Sequence, residues 1–289
     1  MIGILFESNE WSNIAIKNHI ISMGEHAKLI DMQADNVESE LNGCDIVINR
    51  VFPNAIFRAH QKSLERMPVV NAFLENKGVP MINSYKAHLY ETNKELTYNT
   101  LRERGFPVPK VYGVFTPAQI VETTEIEYPC VIEPNCSRRT HYTFLVNSKE
   151  ELVECVKNVP DVEFIAEKHM YPEYGYITGI IVVNGSCQAV LKRSVTPNDI
   201  SAFHLGVTYT RYENCSEDIR NTALKAMELL QIDIGGIEII ENKDGFHIVD
   251  VNSVPNVSEN NASMFGFDLV MSIGFNAVRA CKKKRGFIF

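Results

Sequence analysis

Acidic and amide side chains stand close together on a predicted hairpin near the C-terminus. Its second strand carries Asp250 and Asn252, and strand alternation predicts both on one face with Phe246 and Ile248. Because the turn lies midway, Glu238 of the first strand falls almost opposite Asp250. Two such carboxylates repel by roughly 4 kcal/mol at about 4 Å and an effective dielectric of about 20. Protonation of one acid or a bound Mg²⁺, which prefers such oxygen ligands, would offset this cost; the alternative is a solvated hairpin end with ordinary surface acids.

The elements around this hairpin form an α+β pattern from residue 85 onward. Helical patterns cover about 93–104, 148–158, 216–230 and 267–283, and strand patterns cover about 129–133, 140–146, 162–168, 175–184 and 187–195. The hairpin covers about 235–241 and 246–252. Ser148, followed three residues later by Glu151, is a capping-box signature. Strand runs mixed with isolated helices predict an α+β arrangement for this region.

The first 83 residues instead alternate strands and helices. Apolar strand patterns cover 1–6, 28–31, 44–49 and 79–82, with helical patterns from Ser12 to Gly24 and over about 54–66. This alternation predicts a parallel α/β sheet. No G-x-G-x-x-G follows the first strand, so an NAD-linked oxidoreductase is supported only by the α/β pattern. A G-x-x-x-x-G-K-[ST] loop, an H-E-x-x-H and a G-x-S-x-G are also absent from the sequence.

Composition excludes several classes of protein. The 289 residues carry a net charge of −8 and are 45% hydrophobic, typical of a folded chain of about two domains. The acidic balance argues against a general nucleic-acid binder. Seven cysteines without a C-x-x-C, and the lack of a signal peptide or a long apolar stretch, predict reduced thiols, a cytoplasmic protein and no membrane contact.

The hairpin also resembles a known family. The run D-V-N-S-V-P-N at 250–256, placed after G-G-I-E at 235–238, is similar to the metal-binding end of ATP-grasp ligases, especially RimK-like and LysX-like carboxylate–amine ligases. The resemblance implies that Glu238, Asp250 and Asn252 hold Mg²⁺, or Mn²⁺ in its place. It extends along the chain through several weaker motifs whose order and spacing match.

Three of these motifs imply an ATP site. Asn93-Lys94 stands where the family has an Asp-Lys pair, so the resemblance places Lys94 on the ATP phosphates. The segment 165–170 resembles the hinge that contacts adenine, which implies that Glu167, Lys168 and Met170 frame the base. The segment 191–194 resembles the strand whose arginine contacts the transferred phosphoryl group, here Arg193.

Two departures concern the phosphate site. Glu133 stands where the family carries a phosphate-binding lysine, and the loop at 135–141 contains no glycine. In one hypothesis Arg138 and Arg139 replace the lysine as a mobile lid, since arginine binds phosphate bidentately, and Glu133 orients one of them. In the other, the nucleotide site has degenerated.

The resemblance implies an ATP-grasp fold with three parts. These are an N-terminal parallel α/β (pre-ATP-grasp) domain at 1–84, a central subdomain with the phosphate lid at 85–170, and a C-terminal subdomain with the metal site at 171–289. The implied activity is ATP-dependent amide or peptide bond formation through an acyl phosphate, releasing ADP and phosphate. The implied substrate is an amino acid, a peptide or a carrier protein, contacted by Arg50, Asn256 and Ser258, and the implied assembly is a homodimer or homotetramer. The alternative is a catalytically degraded relative that binds a nucleotide or an amino acid.

Overall fold

The N-terminal region forms the predicted parallel sheet. The computed structural model describes residues 1–136, 142–195, 207–255, 257, 266 and 268–286. Its first sheet has the order β2-β1-β3-β4 with parallel pairing, which confirms the α/β prediction. The strands are β1 (Ile2–Phe6), β2 (Ala27–Asp31), β3 (Ile46–Asn49) and β4 (Met81–Ile82), and the helices are α1 (Trp11–Ser22), α2 (Val37–Leu41) and α3 (Gln61–Asn76).

One helix of this region differs from its prediction. The pattern at 54–66 is divided between a 3₁₀ helix, Pro53–Arg58, and the start of α3. Ala59 lies between them with a φ of 58°, in the left-handed region. A residue in that conformation cannot continue a right-handed helix, so the two segments are separate elements.

The second sheet is antiparallel with the order β5-β8-β6-β7. Sequence patterns missed its first strand and the helix that follows, although Thr116 and Gln119 form a complete capping box there. Its strands are β5 (Val111–Phe115), β6 (Cys130–Pro134), β7 (Phe144–Val146) and β8 (Phe164–Lys168), with α6 (Pro117–Glu122) and α7 (Lys149–Cys155).

Two helices connect the first two sheets, α4 (Tyr85–Glu91) and α5 (Lys94–Glu103). The Asn93 side chain caps α5 by accepting a hydrogen bond of 2.9 Å from the Leu96 amide. Both helices contribute to the hydrophobic core of the third sheet, through Ala87, Tyr90 and Leu101. The start of the central subdomain, expected at residue 85, therefore packs against the C-terminal part of the chain.

The third sheet is antiparallel with the order β11-β10-β9-β12-β13. One face packs against α8 (Glu217–Leu229), and α9 (Leu269–Lys284) packs against α1 of the first sheet. The strands are β9 (Tyr176–Val183), β10 (Ser186–Ser194), β11 (Tyr209–Arg211), β12 (Ile234–Asn242) and β13 (Gly245–Asn252). No helix in the described part of the chain is long and apolar enough to cross a membrane.

The predicted hairpin contains an irregularity that matters for the site. Glu238 pairs with Asp250 as expected, but the next paired residues are Ile239 and Ile248. Val249 therefore has no partner on β12, which is the signature of a β-bulge.

The bulge makes the predicted single face of β13 wrong. Phe246 and Ile248 pack in the core beneath α8, as do both neighbours of Glu238 on β12. Asp250 instead lies beside Glu238 on the opposite face, and Asn252 follows it because alternation resumes after the bulge. The polar groups are thus separated from the apolar residues of the same strand.

Candidate active site

A buried ion pair joins α5 to β6. Lys94, the first residue of α5, donates a hydrogen bond to Glu133, whose other oxygen accepts from the Thr143 hydroxyl at 3.3 Å. Asn135 fixes the two elements together, because its side-chain oxygen accepts from the Glu95 amide at 2.9 Å and its carbonyl accepts from the Lys94 amide at 2.8 Å. Arg138 and Arg139, the predicted partners of Glu133, lie outside the described residues. Among the residues that the structure describes, Glu133 pairs with Lys94.

Two further carboxyl groups surround the Lys94 ammonium. Burial raises the pKa of Glu167 on β8, with the Lys94 charge opposing the shift. Burial also raises the pKa of Asp250, again against the Lys94 charge and with repulsion from Glu238 adding to it. Burial acts to lower the pKa of Lys94, but these carboxylates, Glu133 first, raise it well above its usual value. The ammonium is therefore held charged at the centre of an acidic cluster.

A second ion pair lies on the third sheet. Arg193 of β10 reaches across β9 and forms a bidentate pair with Glu238 of β12, one of whose hydrogen bonds measures 2.8 Å. Burial acts to lower the pKa of Arg193, but the Glu238 carboxylate raises it. The strand register confirms the predicted proximity of Glu238 and Asp250. The pairing of Glu238 with Arg193 was not predicted from the spacing of residues in the sequence.

The three predicted metal ligands share one face but are engaged with protein groups. The Asn252 amide donates to Asp250 at 2.9 Å, and Arg193 binds Glu238. Across the described ranges, no group of three or more His, Cys, Asp and Glu side chains is arranged to hold a metal ion. The predicted ligand set contains only two residues of these four types, Glu238 and Asp250, because its third member is the amide of Asn252.

The predicted adenine hinge covers the end of β8 and the two residues after it. The Lys168 side chain is exposed, and its amide donates to the Lys110 carbonyl at 2.8 Å. Met170 is half-buried just beyond the strand. Glu167 is buried and faces the Lys94 cluster, so it stands apart from the other two hinge residues.

Arg50 follows β3 at its carboxyl end and is not a member of either ion pair. It is 2% exposed and donates to the Pro255 carbonyl at 3.2 Å, and to Asn13 and Ser12 of α1 at 3.4 Å each. Its contact with Pro255 connects the first sheet to the segment that follows the predicted metal strand. Four other predicted residues, Arg138, Arg139, Asn256 and Ser258, lie outside the described residues.

Comparison with known proteins decides the family. Residues 92–273 match the model of the RimK-like ATP-grasp domain, which is more than half of the chain. The chain belongs to the RimK-like ATP-grasp family. This match includes Lys94, Glu133, Arg193 and both strands of the hairpin.

Relatives of this ATP-grasp chain are distant. It is 24% identical over 190 residues to beta-citrylglutamate synthase B of Homo sapiens, covering 62% of this chain and 48% of the relative, so it spans about half the length of that protein. It is 24% identical over 259 residues to the coenzyme gamma-F420-2:alpha-L-glutamate ligase of Methanococcus maripaludis, covering 83% and 86%. Among solved structures, D-alanine–D-alanine ligase of Bacillus anthracis complexed with ATP superimposes with a TM-score of 0.72 at 14% identity, covering 98% and 99%. These matches confirm the ATP-grasp fold.

Sequence reasoning missed Tyr98 in this candidate site of the ATP-grasp chain. Its ring is fully buried, with the Lys94 ammonium 5.5 Å from the ring centre, and its hydroxyl donates to the Val249 carbonyl at 2.5 Å. The available signal was helical spacing, because residues four apart on a helix share a face. A small cavity beside it is lined by Tyr90, Glu91, Lys94, Thr97, Tyr98 and Asp250.

Proposed function

We propose that this chain is an ADP-forming carboxylate–amine ligase that uses ATP and Mg²⁺. A substrate carboxylate oxygen attacks the γ-phosphorus of ATP and ADP leaves, giving an acyl phosphate. An amine nitrogen then attacks the acyl carbon, phosphate leaves, and the ammonium proton is lost to solvent. The product is an amide or peptide bond.

One observation carries this proposal. Lys94 of α5 and Arg193 of β10 are both held charged beside Asp250 and Glu238, so cations and carboxylates from two sheets meet at one place. Phosphoryl transfer needs such preorganised charges more than it needs a protein nucleophile. Lys94 binds phosphate, and Arg193 stabilises the transferring group. Glu167 and Lys168 at the end of β8, with Met170 just beyond it, contact adenine. Arg138 and Arg139 act as the lid.

The residues fit a divalent cation by charge and by donor type. Four carboxylates, Glu133, Glu167, Asp250 and Glu238, face two cations, and Glu167 Oε2 is buried without a hydrogen-bond partner. The excess of negative charge suits Mg²⁺, which Glu238, Asp250 and Asn252 would hold through oxygen atoms. Bound there, the ion would neutralise phosphate charge. Because Arg193 engages Glu238, the guanidinium and the cation compete for the same carboxylate.

The substrate we propose is an amino acid or a peptide, including the end of a carrier protein. Support comes from the relatives, which are named as a glutamate ligase and a citrylglutamate synthase. The buried Arg50 guanidinium, together with Asn256 and Ser258, contacts this substrate, since arginine binds carboxylates bidentately. We propose a homodimer or homotetramer in the cytoplasm.

The first test is calorimetric binding of ATP with and without Mg²⁺. We expect micromolar binding that requires Mg²⁺ and is lost in Asp250→Asn, followed by ADP release when glutamate and carboxylate partners are added. Asp244→Asn, the same change in the exposed turn of the same hairpin, is the matched control and should bind normally. Absence of binding at millimolar ATP would contradict the proposal.

A second candidate function is that of a non-catalytic protein that binds a nucleotide or an amino acid. The Lys94–Glu133 pair favours it, because the Glu133 carboxylate neutralises the lysine that would otherwise bind phosphate. Glu133→Lys discriminates between the two. In a degraded site, restoring the lysine rescues ATP affinity. In a working ligase, the new ammonium repels Lys94 and binding improves little or weakens.

A further inference from the structure

The direction of Asp250 depends on the bulge at Val249. Upstream of the bulge, the even-numbered residues of β13, such as Ile248, face the α8 core, and downstream of it Asp250 faces Glu238. A β13 without the extra residue would direct Asp250 toward the apolar core. A bulge leaves its extra residue unpaired and disrupts the ladder locally, so a contact from another element can stabilise it.

Tyr98 provides such a contact. Its hydroxyl donates a hydrogen bond of 2.5 Å to the carbonyl of Val249, the residue that has no partner on β12. The Tyr98 ring is 0% exposed, so packing holds the hydroxyl at this position. Val249 is half-buried, and a carbonyl that loses its donor is destabilised until β13 rearranges or water takes the place of the donor.

The same side chain touches the rest of the site. The Lys94 ammonium lies 5.5 Å from the centre of the Tyr98 ring, and the Glu167 carboxyl of β8 interacts electrostatically with the Tyr98 side chain. Lys94 and Tyr98 are one helical turn apart on α5. Tyr98 therefore contacts both the third sheet, at Val249, and the candidate phosphate-binding Lys94.

We infer that Tyr98 is a positioning residue whose hydroxyl holds the Val249 bulge and thereby keeps the Asp250 carboxylate beside Glu238. The importance of Asp250 for the cation rests on the proposed function, whereas the hold on the bulge does not. Tyr98→Phe tests the inference because it removes the hydroxyl and keeps the ring. The matched control is Tyr212→Phe, which removes a tyrosine hydroxyl that donates to Glu241 at 3.3 Å on the opposite face of the same sheet.

The first measurement is residue-resolved amide hydrogen exchange on the free protein. We expect amides at 248–252 to exchange at least fivefold faster in Tyr98→Phe than in the wild type, with β9 and β10 unchanged. Tyr212→Phe should leave the amides at 248–252 at the wild-type rate. Unchanged exchange at 248–252 in Tyr98→Phe, or an equal increase across the whole sheet, would overturn the inference.

The second measurement is the Mg²⁺ concentration that half-saturates ATP binding. We expect it to rise about tenfold in Tyr98→Phe, with ATP affinity in the absence of Mg²⁺ unchanged and with no rise in Tyr212→Phe. An equal loss of affinity with and without Mg²⁺ would indicate general damage and would overturn the positioning role. If the wild type does not bind Mg²⁺ and ATP, the proposed function fails, and hydrogen exchange still decides whether Tyr98 holds the bulge.

Discussion

The two ion pairs of the site differ in where their partners come from. Lys94 and Glu133 belong to α5 and to the second sheet, and their side chains are 12% and 9% exposed. Arg193 and Glu238 belong to one sheet and are 16% and 22% exposed. Lys94 is also surrounded by Glu167 and Asp250. The Lys94–Glu133 pair therefore joins two parts of the molecule. The Arg193–Glu238 pair lies on a single sheet, whose strands are already joined by backbone hydrogen bonds.

This difference indicates separate roles. A buried pair between elements is costly to break, because the remaining charge stays unpaired in a poorly hydrated place. A pair on one sheet with more solvent contact can exchange partners at lower cost. We therefore expect Arg193 to release Glu238 during the proposed reaction, and Lys94 to keep much of its carboxylate environment.

Breaking the buried pair should give the largest effect. Glu133→Gln removes the nearest partner of the Lys94 charge, while Glu167 and Asp250 remain beside it, and we expect the free energy of unfolding to fall by about 3 kcal/mol. Urea denaturation at pH 7 measures this loss. Glu127→Gln, which breaks the exposed pair with Lys110, is the control and should change stability by less than about 1 kcal/mol. Similar losses in both variants would contradict the special role of the buried pair.

Removing the second cation should act on rate. Arg193→Gln takes away the charge that we propose stabilises the transferring phosphoryl group, and we expect kcat for ADP release to fall by about 100-fold while KM for ATP changes little. Steady-state kinetics with a coupled ADP assay measures it. Arg211→Gln, an exposed arginine on the neighbouring strand, is the control. A large rise in KM with kcat intact would show that Arg193 binds ATP without acting on the transfer.

How far the sequence predicts these pairs depends on distance along the chain. The opposition of Glu238 and Asp250 was predictable, because one turn sets the register of a hairpin. The partner of Glu133 is 39 residues away on a separate element, and no local pattern reports it. The face of Asp250 was predicted wrongly because the bulge is stabilised by Tyr98, 151 residues earlier. Local periodicity in the sequence thus predicts the helices and strands, whereas contacts between these elements determine how the side chains of the site are arranged.

The Lys94 end should also show a pH dependence. Burial raises the pKa of Glu167 above its ordinary value, so the folded state binds this proton more tightly than the unfolded chain. The free energy of unfolding is therefore highest at low pH. It falls as the pH rises through the pKa of Glu167 in the unfolded chain and then through its higher pKa in the folded protein. Glu167→Gln should be more stable than the wild type at pH 8 by roughly 2 kcal/mol, and the advantage should vanish near pH 4.

Urea denaturation across this pH range measures the change. Glu163→Gln, at an exposed position just before the same strand, is the matched control and should follow the wild type at every pH. An advantage of Glu167→Gln that is independent of pH would mean that the substitution acts through packing instead of through the buried charge.

The smallest effect should come from the pair on the sheet. We expect the Arg193–Glu238 coupling in the free protein to be about 1 kcal/mol, because both partners retain solvent contact and the ladder fixes their strands without them. A double-mutant cycle with Arg193→Gln, Glu238→Gln and the double variant isolates that term. Adding Mg²⁺ should reduce the coupling further, since the cation and the guanidinium compete for Glu238. A coupling energy as large as the loss of unfolding free energy in Glu133→Gln would show that the two pairs contribute equally to stability. Arg193 would then be a structural cation like Lys94.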